Sequence, residues 1–520
     1  MRTIFTGISV PVMYKFIVAL SFIAVPHFLW AQLLPAENSR LHYRLIGFSF
    51  PADTGGNNYQ LEVALGNHNT EDAFRRAVIA TYNGHRNDLI AEVPYFGKDY
   101  TWRVIYADKN AVKTKSEFHH FSTSIIPDMD TGNTRVTVTK NVGTYKDALV
   151  CLDGNRAIYD MNGHPVWYLP TIDGLNNEKL RDVRDMKLTA TGTITFLLNN
   201  VGYEINYDGK VLWKAPDNGA ISHDSLEHYH HEFTKLRNGH YMILGAEFPL
   251  WKLPDHADSN VLLDAHTIYD SVNRAFFQKV EFGTLIEYDE KGNVLWSWRS
   301  SKYFQRSDLK DSINALGKFK DVHENSFCFD EQKKEILVSF RNVSQVLKVR
   351  YPTGAVVATY GHHYKMNSGE RSSSDLFCNQ HSVKRSKQGY IYLFNNNCCN
   401  KDETPRIEIM EELPFVGGRL RKIWEYSCVL DGWSLKRHPQ FRSGGNVIEL
   451  SNGSIFTSLA TDLYSNIFIV GRDKKVQWSG MPEKWNQLES KWEPVFQYRA
   501  SIITDQKDKE RLIWNGTLRK

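Results

Sequence analysis

Cysteine is scarce in this chain, with six residues among 520. That is too few for a disulfide framework, so the fold has to rest on packed apolar cores. Basic residues are not massed anywhere. Lys and Arg number 63 against 59 Asp and Glu, a net charge of +4 with a pI near 8.5. Without dense Lys/Arg stripes the chain is not expected to bind nucleic acid, and only a weak attraction for small anions follows. No CxxC or HxxxH array offers a zinc framework, and no glycine loop is built to cradle a phosphate. Neither a metal nor a nucleotide cofactor is therefore expected. The one long apolar run, Phe16 to Trp30, follows Arg2 and Lys15, is short for a membrane span and is broken by Pro26. It reads as a secretory signal over residues 1–31, cleaved after Ala31, with no cysteine nearby to carry a lipid. The mature chain is expected to be periplasmic or secreted, without a stable membrane span.

What is present is apolar and aromatic: 42% hydrophobic and 13% aromatic residues in a length that suggests two domains. Residues 33–125 show short alternating runs. Tyr100, Trp102, Val104 and Tyr106 alternate with polar positions, as a half-buried strand should, and predict an immunoglobulin- or fibronectin III-like β-sandwich with no chemistry of its own. Residues 134–520 carry a different repeat: apolar strand, tight turn, apolar strand. Six copies occur, among them AIYDMNGHPVWYL, YEINYDGKVLWKA and IFIVGRDKKVQWSG. Gly163, Gly209, Gly292 and Gly354 suit the left-handed turn positions, and Trp167, Trp213, Trp296, Trp424 and Trp478 can pack between sheets. With another strand pair before each copy, the expectation is an all-β chain whose second domain is a six-bladed propeller. Copies three to six recur about every 60 residues, but about 80 separate the second and third. The excess, Phe248 to Val280, is a candidate lid over the channel mouth.

Three histidines share one phase of the repeat. His231 begins HEFTKLRNG, His323 begins HENSFCFDE and His381 begins HSVKRSKQG, each seven positions before its turn residue. On inner propeller strands, equal phase brings the three imidazoles to one end of the central channel. The strand returning from the His323 hairpin ends at Arg341, which predicts a guanidinium at the same mouth. Asn325, two positions after His323, shares its strand face and can add an amide donor. His230 is expected on the face opposite His231. Imidazoles beside a guanidinium suit an oxyanion substrate, with neutral His as nucleophile or base and Arg as a fixed fork of donors. The rival reading is a secreted propeller that binds a glycan or protein at the mouth and catalyses nothing.

The segments HHEFTKLRNGHYMIL, DVHENSFCFDEQKKEILVSFR and NQHSVKRSKQGYIYLFNNN resemble successive motifs of the bacterial PAPS-independent arylsulfate sulfotransferases. The most specific part is His323, Asn325 and Ser326 followed by Ser339 and Arg341. The resemblance spans nearly all of the mature chain. It implies transfer of a sulfuryl group from a phenolic sulfate ester to a phenol through a sulfated histidine, without a cofactor. It makes His381 the nucleophile, while His231, His323, Asn325 and Arg341 hold sulfuryl oxygens or manage protons. The family's disulfide ahead of the nucleophile is not carried over. Cys378 stands three residues before His381, Cys398 and Cys399 follow the next strand, and their pairing stays open. So does a homodimer.

Overall fold

The computed structural model describes residues 33–51, 56–108, 113–125, 134–172, 183–304, 321–361, 376–398, 404–414, 419–428, 444–460 and 465–516. Residues 1–32, read above as containing a leader, and Cys399 lie outside the described residues. The chain is nearly all β, and among the described residues no helix is long and apolar enough to cross a membrane.

Five of the repeat sheets have four antiparallel strands, and the sheet of the last repeat has six, Thr134–Asn141 and Lys491–Pro494 being added to its outer strand. The clearest of the four-stranded sheets are Val183–Leu188, Ile194–Leu198, Val201–Ile205 and Val211–Lys214, then Glu324–Asp330, Glu335–Phe340, Gln345–Arg350 and Ala355–Gly361. Burial explains the order within each sheet. Second and third strands such as Ile194–Leu198 and Phe282–Tyr288 are buried at every position, because other sheets cover both of their faces. Fourth strands such as Arg419–Ser427 alternate toward solvent. The turn glycines Gly163, Gly209, Gly292 and Gly354 have φ of 87°, 83°, 84° and 74°, as their hairpins require. At Gly209 a Cβ would also stand 2.1 Å from Pro170 Cγ.

Tryptophans join several of the sheets to their neighbours. Trp167 Nε1 donates to Tyr207 O at 2.8 Å, Trp296 to Pro352 O at 2.7 Å and Trp424 to Arg472 O at 3.0 Å. Trp478 Nε1 donates back to Met161 O at 2.9 Å, so the sixth repeat touches the first. The first sheet is completed from the far end of the chain: Ala500–Ile503 pairs with Leu149–Leu152, Leu149 opposite Ile503. The repeat pattern did not anticipate this strand, which brings Tyr498 and Arg499 beside the inner strands.

The N-terminal region forms a six-stranded sheet and a two-stranded one, Leu45–Ser49 with Asp88–Glu92. Phe48, Tyr100, Trp102 and Phe121 lie buried in one core with Trp167 and Tyr207 of the repeats. Tyr43 Oη donates to Asp208 Oδ1 at 2.7 Å across the same junction. A helix, Glu71–Ala77, interrupts the alternating strands. Glu71 and Asp72 open it and Arg75 and Arg76 close it, which suits the helix dipole, while buried Phe74 packs beneath Arg103.

Candidate active site

Each of the three histidines stands where an inner strand begins, and local backbone geometry turns its ring. His231 and His323 are left-handed, at φ of 61° and 53°, and Ser382 next to His381 is at 55°. The pairing slips at the same places, between Glu324 and Ser326 and between His381 and Lys384. Bulges of this kind re-aim side chains at a sheet end. The rings of His231 and His323 lie 5.0 Å apart at 79°. Tyr498 links them to the third histidine, 5.5 Å from His231 and 6.4 Å from His381.

Hydrogen bonds determine which nitrogens carry protons. His381 Nδ1 lies 2.7 Å from Asn396 Oδ1, and Asn396 Nδ2 donates to Gly444 O at 3.2 Å. The amide is thereby oriented with its oxygen toward the ring, so His381 Nδ1 is the donor. The neutral ring keeps its lone pair on Nε2. Burial, reinforced by the charges of Arg341, His323 and Arg499, holds His381 well below the usual imidazole range despite the bond to Asn396.

His230 overturns the expectation that it points away from His231. The left-handed turn at His231 breaks strand alternation, and the two Nδ1 atoms meet at 2.7 Å. His230 Nε2 faces Gly245 O at 2.9 Å, and a carbonyl only accepts. His230 therefore carries its proton on Nε2. Burial and then the charge of His323 push His230 down to about 4, so it is neutral at pH 7 and its Nδ1 accepts from His231 Nδ1–H. The lone pair of His231 is left on Nε2. Burial, with His230, His323 and Arg184, also places His231 well below the usual range.

Arg341 follows the strand Glu335–Phe340, and its N–H donates to His323 O at 2.9 Å. Its guanidinium donates to Asn342 Oδ1 at 3.0 Å, and its charge acts on His381 and Asp321. Asp321 Oδ1 stands 3.7 Å from His323 Nδ1. Burial opposes its charge, but His323 and then Arg341 hold the Asp321 carboxyl below its ordinary value. Asn325 is fully buried and donates to Gln380 O at 2.7 Å, so its amide braces the residue before His381. Gln380 in turn donates to Ser339 Oγ, Phe340 O and Gln345 O.

Beneath the histidines lies a buried ionic layer. Arg499 reaches Asp185 at 2.9 Å, Glu232 at 3.1 Å and Asn325 O at 2.7 Å. Burial opposes the charge of Glu232, but Lys384, Arg499 and Lys187 hold its carboxyl down to about 2. Further along the inner strands is a cavity of about 380 Å³ lined by Lys187, Glu232, Lys384 and Arg499 among others, but by none of the three histidines.

Reading the sequence missed Asn396, Tyr498, Arg184, Arg499 and the orientation of His230. One signal was available for Asn396: like Arg341, it is the first residue beyond the second strand of its sheet. Cys151, Cys328 and Cys428 are free thiols. The question of a bond from Cys378 to Cys399 falls outside the described residues. Among the described residues no three His, Cys, Asp or Glu side chains form a metal-holding group.

No curated protein matches the chain. Among solved structures it is similar to a protein of unknown function from Bacteroides caccae, with 14% identity over 64% of this chain and 92% of that one and a TM-score of 0.37. It is also similar to a periplasmic gluconolactonase from Pseudomonas aeruginosa, with 8% identity over 71% and 98% and a TM-score of 0.35. The model of one family, arylsulfotransferase (ASST), matches residues 127–414. That stretch is more than half of the chain and takes in His231, His323, Asn325, Arg341, His381 and Asn396, and the chain belongs to the arylsulfotransferase family.

Proposed function

We propose that the protein is an arylsulfate sulfotransferase that moves a sulfuryl group from a phenolic sulfate ester to a phenol in two steps through His381. The observation that carries this reading is the His381 ring, neutral, buried and held by Asn396 with Nε2 bare. In the first step Nε2 attacks sulfur, the N–S bond forms, and the S–O bond breaks with its electron pair leaving on the phenolate. In the second the acceptor phenol's oxygen attacks sulfur, the N–S bond breaks, and the phenol's proton passes to a base. Arg341 and His323 are assigned to the non-bridging oxygens, the electrostatic role that dominates group transfer of this kind. Tyr498 offers an aromatic wall for the aryl group. Asn325 acts by positioning His381 through Gln380. No cofactor enters either step.

The fold assigned to this activity is a six-bladed propeller over residues 134–520, with residues 33–125 as an accessory sandwich and residues 1–31 as an export signal. Support comes from the repeated four-stranded sheets, the Trp478 bond back to the first repeat and the strand Ala500–Ile503. The test is the release of 4-nitrophenolate from 4-nitrophenyl sulfate. Release that goes beyond one equivalent per enzyme only when a phenol is supplied supports the transferase. No release with any phenol returns the protein to the class of non-catalytic binders.

Phe248 to Val280 is assigned the role of acceptor-side lid. It folds as the three-stranded sheet Leu250–Lys252, Ala275–Lys279 and Thr267–Asp270. Glu281 follows it directly, its carboxyl raised by burial and then by the charge of Asp321, with His323 acting the other way, and this coupling supports a lid on the histidine end. Shortening the sheet should change the ranking of acceptor phenols by several-fold while the rest of the chain stays folded. An unchanged ranking would remove the lid from the specificity argument.

A further inference from the structure

We propose that His231 Nε2 takes the acceptor phenol's proton, and that His230 is the positioning residue that leaves this nitrogen bare by holding the only N–H of His231 at Nδ1. The proposal rests on the sulfuryl transfer set out above. Its basis is the one-way chain of hydrogen bonds. Gly245 O can only accept, so His230 Nε2 donates, His230 Nδ1 accepts, and His231 Nδ1 donates. Arg341 has no acceptor atom, and His381 Nε2 is bonded to sulfur at that stage. His323, held by Asp321 3.7 Å from its Nδ1, is already assigned to the non-bridging oxygens, which leaves the lone pair of His231 Nε2 for the proton.

Charge bookkeeping favours the same atom. Sulfated His381 with a proton on Nδ1 is a cationic ring. As the phenol oxygen bonds to sulfur, the N–S electron pair returns to His381, which becomes neutral, and the phenol's proton makes His231 cationic. The positive charge passes from one ring to another within the same site, and its total there does not change. The groups facing His231 are His230, His323, His381, Tyr498 and Arg184, with the Arg499, Asp185 and Glu232 layer beneath. By microscopic reversibility, protonated His231 returns the proton to the leaving phenolate when the donor is the ester of a weakly acidic phenol.

The experiment separates the two half-reactions by rapid mixing. With 4-nitrophenyl sulfate, whose phenolate leaves without a proton, formation of sulfated enzyme is read as a burst of 4-nitrophenolate. Discharge is then read on adding phenols of graded acidity. His230→Phe should leave the burst rate within about threefold and slow discharge by unsubstituted phenol on the order of 10²-fold, the usual weight of a general base. The loss should shrink as the acceptor becomes more acidic and arrives already ionised. His230→Asn, whose side-chain oxygen can replace Nδ1 as acceptor, should recover much of the discharge rate. A burst slowed as much as the discharge, or a loss independent of acceptor acidity, overturns the proposal. If His230→Phe does not fold, His230→Asn and the wild-type acidity series decide it. A wild-type enzyme with no burst and no sulfated intermediate would refute the transfer reading itself, a result distinct from either.

Discussion

Mixed with a phenolic sulfate and no acceptor, the protein should take up one sulfuryl group on the peptide that contains His381 and release it when phenol is added. The N–S bond is acid-labile, so the labelled peptide has to be isolated at neutral or alkaline pH before mass spectrometry. His381→Ala should lose the label and more than about 10⁴-fold in turnover, because a nucleophile has no substitute in a covalent mechanism. Double-reciprocal plots for donor and acceptor should run parallel in the wild type. The pH profile carries a second expectation. Burial places His381 well below the ordinary imidazole range, and the neutral ring, present above its pKa, is the reactive form. The acid limb of kcat/KM for the donor should therefore fall below pH 6.5, the ordinary histidine value. A label on His231 or His323 would reassign the nucleophile, and full activity in His381→Ala would end the covalent mechanism.

Arg341→Lys should cost about 3 kcal/mol in kcat/KM, on the order of 10²-fold, with little change in melting temperature. Lysine keeps the charge but offers a single ammonium in place of the planar fork that can meet two sulfuryl oxygens at once. The guanidinium is half-buried and donates to Asn342 at the exposed strand end, so its replacement should not open the core. The loss should fall on kcat as well as KM, since the oxygens gain their contacts fully only as the S–O bond stretches. Wild-type kinetics in the lysine variant would make Arg341 a structural residue whose part is its N–H bond to His323 O.

His231, His323, His381 and Arg341 were legible in the chain because an inner strand and its hairpin are local. Seven residues from histidine to turn set the same height in each repeat, and the length of the returning strand placed Arg341. The turn glycines were legible for the same reason, since each hairpin needs its own left-handed residue. His230 was misread because strict alternation assumes regular strand angles, and the positive φ of His231 breaks it where it matters. Asn325 was placed on the correct strand, but its partner, Gln380 O, belongs to another repeat.

The sequence alone determined the β class, the six repeat copies and the shared phase of the three histidines, because hydrophobic periodicity and turn chemistry act over a few residues. The tertiary structure decided the rest of the site. Asn396 orients His381 with its amide held by Gly444 of the following repeat. Tyr498 and Arg499 enter because the strand after them pairs across some 350 residues with Leu149–Leu152. The tautomer of His381 depends on such a partner in another repeat, whereas that of His231 is set inside its own hairpin by His230 and Gly245 and escaped the pattern because the turn at His231 breaks strand alternation.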